Sequence, residues 1–163
     1  MAPGSYTFRP MAAADLPTIQ HWLATPHVSE WWGDPQEQFA LVSGDLDHSS
    51  MQQFIVAIAD RPIAYLQCYD PAAWPNHGFG AIAQDARGID QFIGEPDFIG
   101  QGHGSRFIRA FVDDLLQAGA PLVLTDPSPQ NTRAIRAYEK AGFQKHGPVQ
   151  TPDGSAILMV CDA

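Results

Sequence analysis

The sequence predicts an α/β domain built on a sheet of mixed strand direction, flanked by helices. Three observations lead there. In the second half of the chain, apolar runs of strand length alternate with amphipathic stretches of helical period. Paired apolar runs joined by turn residues occur at 53–69 and 143–161, and such hairpins add antiparallel strands. The chain has 163 residues, 45% hydrophobic and 17% charged. That is one domain, residues 1–163, large enough to bury roughly two-thirds of the surface its unfolded form exposes.

Each element follows from its residues. "YTFRP" is a short first strand. In "AADLPTIQHWLA", Leu16, Ile19, Trp22 and Leu23 recur at helical spacing, with Asp15 near the start as a cap. After "TPHVSEWWGDP" a second helical stretch surrounds "PQEQFALVSGDL". "QFIVAIADRPIAYLQCY" is two strands turning across Asp60-Arg61-Pro62. The segment from Asp70 to Arg87, rich in Pro, Gly and Ala, is irregular, and "GIDQFIG" is the next strand. A helix follows "EPDFIGQGHG": Phe107, Ile108, Phe111, Val112, Leu115 and Leu116 form its apolar stripe, with Arg106, Arg109, Asp113 and Gln117 outside it. "APLVLT" is a buried strand. In "DPSPQNTRAIRAYEKAGF", Pro129 suits a helix's first turn, Ala134, Ile135, Tyr138 and Ala141 share a face, and Gly142 ends the helix. "FQKHGPVQ", the turn "TPDG" and "SAILMVC" close the chain as a hairpin. The order is β-α-α-β-β-β-α-β-α-β-β.

Charge and composition exclude some functions. Eighteen acids against nine Lys and Arg give a net charge of −9. Such a field repels phosphates, so neither nucleic acid nor an anionic membrane is an expected partner. It suits a small cationic amine, and it also serves solubility alone. "MAPGSYTFRP" has no apolar core of signal-peptide length, and no apolar run reaches membrane-spanning length. Cys68 and Cys161 read as isolated reduced thiols, which makes the cytoplasm the expected compartment. The histidines at 21, 27, 48, 77, 103 and 146 lack ligand spacing and read mostly as surface, so no metal is expected. No Ser-His-Asp or Cys-His order supports a nucleophilic side chain.

Three local patterns carry chemistry. "IGQGHGS", Ile99 to Ser105, places glycine at every second position and runs into a helix. Glycines let a backbone approach a ligand, and N–H groups at a helix start attract phosphate; a merely flexible loop is the other reading. The stretch lacks the dinucleotide-binding spacing and the Gly-Lys-Ser/Thr of nucleotide hydrolases. Asp90 stands mid-strand between apolar neighbours, where a carboxylate is costly unless paired or used; the alternative is a solvated strand face. Trp31 and Trp32, following Glu30, are either a core pair or a pair of which one lines a cleft.

Taken together, these patterns resemble the GCN5-related N-acetyltransferases (GNAT). Gly102 and Gly104 match the glycines of that family's acetyl-coenzyme A loop, with Ile99 at its Gln/Arg position. Asn131, Ala134, Tyr138, Lys140, Gly142 and Phe143 match its second motif, Asn-x-x-Ala-x-x-x-Tyr-x-Lys-x-Gly-Phe, at full spacing. "HVSEWWG", "PIAYLQCY", "RGIDQFIG", "TDPSPQNTRAIRAYEKAGF" and "TPDG" are similar, in order, to the aminoglycoside 6'-N-acetyltransferases, the antibiotic-resistance branch. The chain departs from them in "NHGFGAIAQDA", where Asp85 is the one acid and relatives carry several.

The resemblance implies a GNAT fold, a mixed central sheet with splayed central strands and flanking helices. It implies acetyl-coenzyme A as co-substrate, lying where the strands "GIDQFIG" and "LVLT" diverge. Ile99, Gly100, Gln101, Gly102, His103, Gly104 and Ser105, with Asn131, Ala134 and Lys140, would hold it. A backbone N–H near Phe92 or Ile93 would polarise the thioester oxygen. Asp90 would take the amine's proton and Tyr138 would protonate the leaving thiolate. Trp31, Trp32, Tyr65, Gln67, Asp126 and Asp153 would meet the acceptor. A monomer or homodimer is expected. Siderophore-assembly and protein N-terminal acyltransferases share the fold and are the alternative, because an acid-poor 76–84 suits a less cationic acceptor. A non-catalytic coenzyme A sensor is the third reading, against which the retention of Asp90 and Tyr138 speaks.

Overall fold

A computed structural model describes residues 5–163. Residues 1–4, the start of the segment read as lacking a signal-peptide core, lie outside the described residues. The strands are β1 (Tyr6–Pro10), β2 (Met51–Ile58), β3 (Arg61–Tyr69), β4 (Arg87–Ile93), β5 (Leu122–Thr125), β6 (Gln144–Thr151) and β7 (Gly154–Asp162). The helices are α1 (Leu16–Leu23), α2 (Pro26–Trp32), α3 (Pro35–Gly44), α4 (His103–Gln117) and α5 (Thr132–Lys140). The strands form one seven-stranded sheet in the order β1-β2-β3-β4-β5-β7-β6. It is mixed, as expected: β4 and β5 run parallel, while β1–β2, β5–β7 and β6–β7 are antiparallel. The chain divides into two units, Met1–Cys68 with Asp90–His103, and Tyr69–Ile89 with Gly104–Ala163.

In the first unit β1 pairs with β2 from Tyr6↔Ile58 to Pro10↔Phe54. The β2–β3 turn falls one residue earlier than the sequence reading placed it. Its central residues are Ala59 and Asp60, both with positive φ (48° and 65°), the mirror-image turn that matches strand twist. Helix α2 was left without an element because one buried residue in seven, Val28, gives no apolar stripe. Its boundaries are nonetheless marked by Pro26 at the first turn and by Gly33, at φ +99°, past its end. Asp34 caps α3 by accepting the Glu37 N–H at 2.9 Å. Ile19, Trp22, Leu23, Val28, Val42, Ile55, Tyr65 and Phe92 make the core of this unit.

In the second unit the β4–β5 ladder holds two register pairs, Arg87↔Val123 and Gly88↔Leu124. The Thr125 hydroxyl then donates to the Ile89 carbonyl at 3.0 Å, and β4 continues to Ile93 beyond the last register pair. Of its predicted stripe, helix α4 buries Phe107, Ile108, Phe111 and Val112, while Leu115 and Leu116 are half-buried. Helix α5 begins at Thr132, so Pro129 lies outside it and does not serve the first turn. The start is set instead by Asn131, whose side chain accepts the Ala134 N–H at 3.2 Å. Gly142, at φ +106°, ends the helix.

Candidate active site

Strand β3 presents Tyr65 and Gln67 on the face to which β4 presents Asp90 and Phe92, since alternate residues share a face. Three contacts fix their register. Gly94 N–H donates to Ile63 C=O at 2.8 Å, the Tyr65 and Phe92 rings lie 5.4 Å apart, and Gln67 Nε2 donates to Asp90 Oδ2 at 2.9 Å. Each step forward along β3 is a step back along β4, as in antiparallel neighbours.

The Asp90 carboxylate is thereby placed by a chain of hydrogen bonds. The Tyr65 hydroxyl donates to Gln67 Oε1 at 2.8 Å, which turns the Gln67 amide so that its N–H points to Asp90. Burial pushes the Tyr65 phenol well above its ordinary value; the Gln53 side chain opposes this and the Asp90 charge adds to it. It therefore remains a donor at any working pH. Tyr65 has no exposed surface, so it reaches an acceptor only through Gln67.

The two tryptophans divide as their adjacency demands. Trp32 sets its ring edge-on to Phe92 at 5.0 Å and to Tyr65 at 6.1 Å. Trp31 is 41% exposed. The first unit thus brings together Asp90, Gln67, Tyr65, Trp32 and Phe92, a carboxylate beside an aromatic cluster. The Ile93 carbonyl accepts from His27 Nε2 at 2.9 Å, which ties α2 to the end of β4.

Past β4 the chain enters the glycine loop. Gly100 and Gly102 have φ of +75° and +82°, conformations that favour glycine, and a side chain at Gly100 would meet no protein atom within 4 Å. The backbone here is exposed and leads directly into the fifteen-residue α4. That combination fits the phosphates of coenzyme A, which need close backbone approach and N–H donors. Ile99 and Ser105 are half-buried, Gln101 Nε2 donates to the Asp97 carbonyl, and Gly104 opens the second unit within α4. His103 Nδ1 is hydrogen-bonded to the Tyr6 hydroxyl at 2.8 Å, so its ring is engaged by β1.

The remaining candidates belong to the second unit. Asn131 and Ala134 bond each other as the cap of α5, a structural duty the sequence reading did not assign to them. Tyr138 is buried, its ring edge-on to Phe143 at 5.3 Å, while Lys140 is exposed in the last turn, where a cation suits the helix dipole. Asp126 is half-buried immediately after β5. Asp153 is exposed in the β6–β7 turn, its N–H donating to Thr151 Oγ1 at 3.1 Å. Among the described residues no cluster of three or more His, Cys, Asp or Glu could hold a metal, and no helix is long and apolar enough to cross a membrane.

Sequence reasoning missed Tyr6, Trp22, His27, Arg61 and Glu95. His27, among the histidines read mostly as surface, and His103, read as touching the cofactor, are both half-buried and bonded. Trp22 Nε1 donates to Glu95 Oε2 at 2.8 Å, and Arg61 lies 3.1 Å from Glu95 Oε1. The Trp22 bond and then the Arg61 guanidinium hold the Glu95 carboxyl below its ordinary value against partial burial. A cue existed: an indole N–H in an apolar helix needs a partner when buried, although the sequence does not say which.

The acetyltransferase (GNAT) domain family matches residues 11–151. The chain is 39% identical over 168 aligned positions to aminoglycoside N(6')-acetyltransferase type 1 of Klebsiella pneumoniae, covering 96% of this chain and 82% of that protein. It is 49% identical over 75 residues to a kanamycin resistance protein of Rhizobium radiobacter, covering 45% of this chain and 69% of that one. The structure of AAC(6')-Ib in complex with coenzyme A and kanamycin superposes with a TM-score of 0.85 at 36% identity, covering 97% of this chain and 95% of the other. A mixed sheet flanked by helices, a glycine loop opening onto a helix, and relatedness along nearly the whole chain converge. The chain belongs to the GNAT acetyltransferase family, in the branch of the aminoglycoside 6'-N-acetyltransferases.

Proposed function

We propose that this protein transfers acetyl from acetyl-coenzyme A to the 6'-amine of an aminoglycoside. The observation that supports it most is a strand carboxylate, Asp90, oriented by Gln67 and Tyr65 beside an aromatic cluster. An ammonium cannot attack a thioester until it loses a proton. Asp90 binds the ammonium as its counter-ion and then accepts that proton, while Gln67 keeps the carboxylate from turning away. Acetyl-coenzyme A supplies the acetyl group as a thioester. The Phe92 or Ile93 N–H steadies the charge that develops on the carbonyl oxygen. A carbon–nitrogen bond forms as the carbon–sulfur bond breaks; Tyr138 gives the departing thiolate its proton and is made good by the one the acylated nitrogen sheds, leaving the amide and free coenzyme A. Trp31, Asp126 and Asp153 remain, in this reading, the further residues that the family resemblance gives to the acceptor.

A second reading rests on segment 76–84, which holds no acid. Its conformation is tightly set: Gly78 abuts the Gln150 backbone, where any side chain would clash, and Phe79 is buried with its ring stacked on His77 at 4.7 Å. A wall of this composition suits an acceptor of lower charge, such as a small monoamine, a hydroxylamine or a protein N-terminus.

Thiol release from acetyl-coenzyme A, measured against aminoglycosides, polyamines, hydroxylamines and peptides, tests both. Turnover on a 6'-amino aminoglycoside is expected, with Asp90→Asn slowing kcat by about 10²–10⁴, the usual loss with a general base. Tyr138→Phe should slow kcat while coenzyme A still binds. Turnover confined to other acceptors supports the second reading, and an unchanged Asp90→Asn removes the base.

A further inference from the structure

The loop that precedes α4 is fastened at its start by a cluster for which the reaction scheme has no use. Glu95 stands two residues past β4 and five before Gly100. One of its carboxylate oxygens accepts the buried Trp22 indole N–H at 2.8 Å; the other lies 3.1 Å from Arg61 Nη2. Arg61 opens β3, passes its guanidinium over the Phe98 ring at 4.9 Å and approaches Asp97 at 4.0 Å. Gly94, just before Glu95, lies flat on the Trp22 indole, so close that a Cβ would fall 2.1 Å from the ring. Phe98 in turn sits 5.2 Å from the His103 ring, which the Tyr6 hydroxyl holds at 2.8 Å.

A loop with two left-handed glycines has many conformations to lose on binding, and that ordering weakens affinity. Contacts that order it beforehand strengthen binding without touching the ligand. We propose that Glu95, gripped by Trp22 and Arg61, is a positioning residue that presets the glycine loop for coenzyme A. Two strengths meet in this carboxylate. The indole bond is rigid, coming from the core of the unit, whereas the arginine is half-exposed and also covers Phe98. The inference rests on the glycine loop being the coenzyme A site.

Calorimetry with coenzyme A on the full chain is the test, with Gly102→Val as the variant that blocks the loop directly. Glu95→Ala should weaken coenzyme A by about tenfold, the effect of losing a charge-assisted hydrogen bond. Arg61→Ala, a change at an exposed side chain that leaves the core intact, should weaken it about two- to threefold. Glu95→Gln, which keeps an acceptor for Trp22, should recover part of the loss. In steady state the KM for acetyl-coenzyme A should rise while kcat and the acceptor KM hold. Parental affinity in Glu95→Ala and Arg61→Ala, with Gly102→Val crippled, overturns the positioning role. Parental affinity in all three overturns the loop assignment beneath it. A fall in kcat and in both affinities together marks a general structural role and also overturns the proposal.

Discussion

Tyr65 shows how far a single side chain can act without meeting a substrate. Its hydroxyl is sealed in the core, and removing one oxygen as Tyr65→Phe leaves the ring packing against Phe92 and Trp32 intact. What is lost is the bond that fixes the Gln67 amide. Rotation of that amide presents oxygen instead of nitrogen to Asp90 for part of the time. Tyr65→Phe should therefore lower kcat by about three- to tenfold, the worth of one neutral hydrogen bond, with Gln67→Ala at least as severe. The KM for acetyl-coenzyme A should stay within twofold of the parent in both; a rise there instead would show that β3 had been deformed. Asp90 was legible in the sequence because a carboxylate among apolar strand residues demands a reason. Gln67 and Tyr65 came with the family resemblance as acceptor residues, but their bonding to Asp90 was not legible, because it depends on the register between strands 23 residues apart. Glu95 and Trp22 are 73 apart, and nothing local in either segment announces the other.

Among the elements, α4 and α5 were readable because each repeats apolar side chains on one face, and the two hairpins because turn residues interrupt apolar runs. Helix α2 was not, since its seven residues complete barely two turns and bury one side chain. Its signal lay in its ends, a proline that opens it and a glycine that closes it, and end signals are weak without a stripe between them. The same asymmetry misled the reading of α5: Pro129 looked like a first-turn residue, but Asn131, with a side chain able to accept from Ala134, outcompetes it as the start. The end of α5 is held from α4. Arg109 Nη1 donates to the Ala141 carbonyl at 3.1 Å, while Arg109 Nη2 pairs with Asp113 at 3.0 Å. A Cβ on Gly142 would lie 2.5 Å from that guanidinium, at a φ that L residues disfavour. Gly142→Ala should cost about 1–2 kcal/mol in strain alone. For a chain of this size that lowers Tm by about 2–4 °C per kcal/mol, measurable by calorimetry. Arg109→Ala combined with Gly142→Ala should cost less than the sum of the two, because the clash and the lost bond share one side chain.

For the molecule as a whole, an excess of nine negative charges is a field as well as a solubility device. It acts on any cation that approaches, whereas a carboxylate that meets the bound acceptor acts at contact distance, and salt separates the two. Asp126 is the residue on which to make that separation, because it follows β5 half-buried and is assigned no proton to move. Asp126→Asn should raise KM for a polycationic acceptor by about two- to fivefold at low ionic strength, the range of one partly screened ion pair, and leave kcat within twofold. At 10 mM salt the field reaches about 30 Å and at 1 M about 3 Å. The parent should therefore lose kcat/KM steadily as salt rises. The variant should start lower, fall less steeply, and converge on the parent near 1 M. Acetyl-coenzyme A, an anion, should show no such convergence in its own KM. If Asp126→Asn instead runs parallel to the parent at every salt concentration, the acceptor does not meet this carboxylate, and the general field alone accounts for the cation preference. If it loses kcat rather than affinity, the proton acceptor lies on the β5 side, and Asp90 is left with the binding role.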